Sequence, residues 1–172
     1  MKCILKKVSS TKGFSLLEVL IVIGIVTALM GIAFFVYSGT GQRARDHKRI
    51  SDLDTLNRYL QGAGHDVVKY LPNGIPIEGD LKELIDEAET HIGINLFRQN
   101  PKDPLADLNK SGYRYILGEN NIVVYTNLED FYSEVDLSFS QPMLGGAAGT
   151  FQGGGNYAAG WNNTDKYYQV SN

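Results

Sequence analysis

Hydrophobic and polar positions along this chain change their spacing three times. From Phe14 to Tyr37 the sequence is apolar for 24 residues, interrupted by one carboxylate, Glu18, and a few small or hydroxyl residues. As a helix this run spans about 36 Å, enough to cross a hydrocarbon core of about 30 Å. Over residues 43–61 apolar side chains recur instead at Ala44, Ile50, Leu53, Leu56 and Leu60, with charged residues between them. That spacing is close to the helical period and predicts an amphipathic helix. Beyond residue 112 two runs, Tyr113–Leu117 and Ile122–Thr126, are aromatic and β-branched, and Gly118-Glu119-Asn120-Asn121 between them predicts a hairpin turn. Glu134–Phe139 alternates and predicts a third strand.

The two helical patterns join into one helix over residues 14–61, about 72 Å long if continuous. Gly39-Thr40-Gly41 is the expected local break and Gly62-Ala63-Gly64 the expected end. Asp46 with Arg49, and Asp54 with Arg58, have the spacing of intrahelical pairs of small value. Turns are expected at Pro72-Asn73-Gly74 and Glu78-Gly79-Asp80. A capping-box-like start at Asp80 opens a short amphipathic helix, Leu81 to about His91. Seven of the 32 residues in 141–172 are glycine, interleaved with Tyr157, Trp161, Tyr167 and Tyr168, which predicts a flexible Gly- and aromatic-rich tail.

Charge sharpens this picture at the N-terminus. Residues 1–13 carry Lys2, Lys6, Lys7 and Lys12 and no acid, whereas the whole chain is −3, so residues 14–172 total −7. Basic residues flanking a span stay on the cytoplasmic side, which orients the rest outward. The acidic remainder lacks the basic face of a nucleic-acid binder. Cys3 is the only cysteine, so no internal disulfide exists. The apolar run exceeds the 7–15 residues of a secretory signal, and only a weak cleavage site follows it. No nucleophile–base arrangement and no phosphate-cradling Gly loop occurs, so an enzyme is not expected. His47 and His65 read as solvated side chains.

A carboxylate within a membrane-length run is costly and marks a functional residue. Its setting, Lys12-Gly13-Phe14-Ser15-Leu16-Leu17-Glu18-Val19-Leu20-Ile21, resembles the class III signal of type IV pilins and type II secretion pseudopilins. The resemblance covers residues 1–40. It implies a leader, residues 1–13, removed by prepilin peptidase between Gly13 and Phe14, and N-methylation of Phe14. It makes Glu18 the glutamate at mature position five, which in the family's filaments is thought to neutralise the terminal amine of a neighbouring subunit. A proline common near mature position 22 is here Phe35.

The expected organisation is α+β and pilin-like. A membrane and filament-core helix (14–37) continues amphipathically (38–64) and packs on a small antiparallel sheet in a head (65–140), with the tail at 141–172. The implied function is a structural subunit of a type IV pilus or related filament. It self-associates and relies on an assembly platform and ATPase. As precursor it sits single-pass in the cytoplasmic membrane, and once assembled in a surface or periplasmic filament. Two alternatives stay open: a pseudopilin of a secretion or DNA-uptake machine, and an uncleaved single-span membrane-anchored binding domain. No cofactor is expected. Asn100-Pro101-Lys102-Asp103-Pro104 resembles the entry to the β-region of major pseudopilins, where a nearby loop in some relatives binds calcium. Asp103, Asp107 and Asn109 offer hard oxygens for such an ion, although their spacing matches no complete calcium loop and suits turn and cap duty better.

Overall fold

The computed structural model describes residues 13–63, 77–92, 101–130 and 132–171. Residues 1–12 of the expected leader, the Pro72-Asn73-Gly74 turn and His65 lie outside the described residues. The contacts divide the chain into two compact units, Met1–Thr40 and Gly41–Asn172.

In the first unit the described chain is helical from Leu16, the start of α1 (Leu16–Ala63). The Ser15 carbonyl accepts the Glu18 and Val19 amides at 3.0 and 3.2 Å, which opens the helix. Leu16–Phe34 is apolar enough to cross a membrane, with mean hydropathy 2.6 over 19 residues and none of it buried in the protein. The Thr27 hydroxyl turns back onto the Ile23 and Gly24 carbonyls, both at 2.9 Å, so its one polar group is satisfied within the helix. The break expected at Gly39-Thr40-Gly41 does not occur, and α1 runs through these residues. Glycine weakens a helix by about 1 kcal/mol without severing its hydrogen bonds.

The second unit is an α+β fold. Besides the C-terminal stretch of α1 it contains β1 (Glu78–Asp80), α2 (Leu81–Ile92), β2 (Arg114–Leu117), β3 (Ile122–Asn127), β4 (Gly149–Gln152) and β5 (Lys166–Ser171). The strands form one antiparallel sheet in the order β1-β2-β3-β5-β4. β1 occupies the position where a turn is expected, because Glu78–Asp80 pairs with Ile116–Arg114.

The sheet is covered on both faces, and all six residues of β3 are buried. One face carries Ile122, Val124, Val170, Tyr113 and Tyr115 against Leu53 and Leu56 of α1 and Leu81, Leu84 and Ile85 of α2. The other carries Tyr125, Phe151 and Tyr167 against Ile116, Leu137, Phe139 and Tyr157.

That second face corrects the expectation of a flexible tail. Residues 141–172 contribute two strands, and β5 lies between β3 and β4. Phe151 stacks on Tyr167 with ring centroids 5.3 Å apart. The aromatic residues that punctuate the glycines bury enough surface to order the segment. Gln169 is buried and holds the loop before β4, accepting from the Met143 amide (2.8 Å) and donating to the Ala147 carbonyl (3.0 Å). The head is therefore larger than residues 65–140. Glu134–Phe139 is not a strand but makes an isolated bridge, Leu137 to Phe151. Its Asp136 and Leu137 amides donate to the Thr150 carbonyl, which covers the β4 edge.

Candidate functional site

Two places gather chemistry, one in each unit, with a third arrangement pinning the chain's last turn. In the first unit Gly13 precedes an exposed Phe14, and Glu18 lies in the first turn of α1. A carboxylate there is favoured by the unsatisfied amides of a helix start. Phe14 is 80 % exposed, and Leu16, Leu17, Leu20 and Ile21 are exposed likewise. No described residue pairs with the Glu18 side chain. An added Cβ at Gly13, Gly24 or Gly31 would touch nothing within 4 Å.

In the second unit a cluster of charges is buried. The Arg49 side chain is fully buried and meets three carboxylates. Its Nε and Nη2 donate to the two oxygens of Asp103 at 2.5 and 3.0 Å, a bidentate fork. Its Nη1 donates to Asp46 at 2.7 Å and lies 2.6 Å from Glu129. Arg45 adds a second fork onto Glu129, at 2.8 and 2.5 Å. Asp46 also accepts the Glu129 and Asp130 amides, so α1 grips the loop after β3 through backbone and side chain together. Burial alone would lower the Arg49 pKa, but hydrogen bonds to Asp103 and Asp46 outweigh it and raise it. The hydrogen bond from Arg45 holds Glu129 below its ordinary value, against the opposing effect of burial.

This cluster overturns two expectations and gives Asp103 a partner within the protein. Asp46 and Arg49 are not a surface pair of small value but the centre of the α1–loop joint. Ala44, expected on the apolar face, is exposed, because Asp46 and Arg49 continue the buried side of the helix. Asp103, expected to offer oxygens to calcium, gives both to Arg49, and Oδ1 also accepts the Leu105 amide at 2.8 Å. Asp107 and Asn109 are exposed. Among the described residues no three acidic, histidine or cysteine side chains converge in a metal-binding group. Asp54 likewise does not pair with Arg58. It accepts the Tyr168 hydroxyl at 2.7 Å, while Arg58 donates to Thr55.

Two more phenols reach carboxylates, Tyr113 to Asp52 (2.8 Å) and Tyr125 to Glu78 (2.7 Å). Burial first, then these hydrogen bonds, pushes both phenols above their ordinary range, so they stay neutral donors. Asp80 caps α2 as expected, accepting the Lys82 amide at 2.9 Å, and also holds Ser111 and Gly112. Gly112 has φ +78°, and a Cβ there would come within 2.6 Å of the Asp103 Cβ, so glycine is required.

Asn127, at the end of β3, is buried and pins the turn over residues 160–164. Its amide donates to the Thr164 and Lys166 carbonyls, and its Oδ1 accepts the Asn162 amide at 2.6 Å. The Asn162 side chain donates to the Asn127 carbonyl at 2.7 Å, so the Asn162-Asn163-Thr164 sequence serves this turn. Replacing Asn127 with alanine should leave several of these groups unsatisfied and cost about 2 kcal/mol or more. Denaturant unfolding of the variant, followed by Trp161 fluorescence, measures that loss.

The exposed apolar helix and the sheet-based second unit define a membrane-anchored α+β protein with an N-terminal span. Residues 8–34 match the family model described as the prokaryotic N-terminal methylation motif. The chain thus carries the prepilin-type signal of the type IV pilins and pseudopilins, a structural rather than catalytic family. No curated protein and no solved structure matches the chain.

Proposed function

We propose that this protein is a filament subunit, cut by prepilin peptidase between Gly13 and Phe14, N-methylated on Phe14, and assembled through α1. The observation that carries this reading is Glu18 in the first turn of a span whose side chains are all exposed, five residues after Gly13 within the matched motif. Cleavage creates a cationic amine on Phe14. In low dielectric the unpaired Glu18 carboxylate is costly, and a neighbouring subunit's amine offsets that cost. Glu18 then sets the stagger between subunits. The apolar side chains leave lipid for similar packing against other copies, so the transfer costs little in hydrophobic terms.

The work of extraction comes from an assembly platform and its cytoplasmic ATPase. The precursor waits single-pass in the cytoplasmic membrane, and the assembled filament lies outside it. A secretion pseudopilin would share every step above. Intact mass and N-terminal sequencing of protein from native membranes test the reading. The expected chain begins at Phe14 and carries one added methyl. A chain that keeps residues 1–13 in cells with active prepilin peptidase would instead make this an uncleaved membrane-anchored domain.

A further inference from the structure

A cleft of about 550 Å³ opens beside the N-terminal end of α2, within the size range of small-ligand sites. Trp161, Leu105, Glu83, Asp107, Lys110 and Arg114 line it. Trp161 is the chain's only tryptophan and is 45 % exposed. It is nonetheless held firmly. Its ring meets Tyr167 edge-on at 5.9 Å and Tyr125 at a tilt at 6.3 Å, and its turn is pinned by the buried Asn127. An aromatic side chain kept rigid yet half open to solvent presents apolar area at little entropic cost on binding.

The polar lining selects the ligand's charge. Glu83 and Asp107 stand against an anion, as does Asp80, whose oxygens already accept from Lys82, Ser111 and Gly112, whereas Lys110 and Arg114 stand against a cation. A neutral molecule with many hydroxyls uses carboxylates as acceptors and cationic groups as donors at once. Such a molecule must also offer an apolar face to Trp161, whose ring has a negative face that attracts the partly positive hydrogens of C–H groups. A pyranose ring has both properties: C–H groups over one face and hydroxyls around its rim.

We propose that this cleft binds a neutral saccharide, with Trp161 stacking on the sugar face. The site lies wholly in the second unit and does not depend on filament assembly. The test is a fluorescence titration of the full processed chain in a polyoxyethylene detergent, since alkyl glycoside detergents would compete. The probes are neutral oligosaccharides of glucose, galactose, mannose and N-acetylglucosamine, with a sulfated disaccharide and spermidine as charged comparators. A saturable change with at least one neutral probe, half complete below about 10 mM, is expected. By calorimetry, Trp161→Ala should weaken that probe about tenfold or more, and Trp161→Phe should retain most of the binding. Arg114→Leu, which keeps Trp161 but removes a cationic donor of the lining, should also weaken it. Silence with every neutral probe, a response confined to the charged comparators, or equal binding by Trp161→Ala and Arg114→Leu would overturn the proposal.

Discussion

Replacing Glu18 with alanine should leave processing at Gly13 intact and cut recovered filament at least about a hundredfold, equivalent to about 2.8 kcal/mol. The new amine on Phe14 is positively charged whether or not Glu18 is present. Without the carboxylate, assembly would carry an uncompensated cation into a low-dielectric bundle, at an effective cost of several kcal/mol. Sheared surface fractions and membrane fractions, probed for the head, separate assembly from processing. Gly13→Val gives the complementary outcome: precursor accumulates uncut, because a branched side chain obstructs backbone entry into a protease cleft. Normal filament yield from Glu18→Ala would remove the pairing mechanism, and normal cleavage of Gly13→Val would remove the assigned scissile bond.

The second large effect concerns the head. Arg49→Ala should destabilise it by about 3–5 kcal/mol, the range for removing one partner of a buried ion pair. The variant leaves Asp46 and Asp103 without their cation and Glu129 with Arg45 alone, and Asp103 loses both hydrogen bonds of its fork. By contrast, Lys82→Ala breaks an exposed i,i+4 pair with Asp86 and should cost less than about 0.5 kcal/mol. Trp161 lies in the head, so its fluorescence in denaturant follows that unit in the full chain. A loss below about 1 kcal/mol for Arg49→Ala would show that the cluster orders the loops without stabilising them.

The same cluster makes the head sensitive to acid. Glu129 has a folded pKa below its ordinary 4.5, so the folded protein binds fewer protons than the unfolded chain as pH falls. Its contribution is complete above about 4.5 and is lost progressively as pH drops through the folded value. In Glu129→Gln that part of the acid dependence should disappear, measurable as a flatter profile of unfolding midpoint against pH.

Several elements were legible because their residues report on themselves. The apolar run, the β2–β3 hairpin and the Asp80 cap each depend on local pattern. β5 is not legible in the same way: Lys166-Tyr167-Tyr168-Gln169-Val170-Ser171 has strand-forming residues, but the preceding glycines dominate the composition of the segment. The charge cluster also left a trace. Carrying the buried positions Leu56 and Leu53 back along α1 leads to Arg49 and Asp46, at spacings of four, three and seven that share one face. A buried stripe that passes from leucine into paired charges implies partners from elsewhere in the chain.

Those partners are what tertiary structure decided. Asp103 and Glu129 lie 54 and 80 residues from Arg49, and no local rule selects them from among the other acids. The same holds for Asn127 with residues 162–166, and for Trp161 with the cleft beside α2. Each depends on the β3–β5 pairing that brings the C-terminal segment into the sheet. The N-terminal signal needed no such help. Its length and apolar composition suit a membrane, and the matched motif lies in the linear order of residues. The sequence by itself therefore determined the membrane span and the prepilin signal, whereas the head's contacts arise only when distant segments fold together.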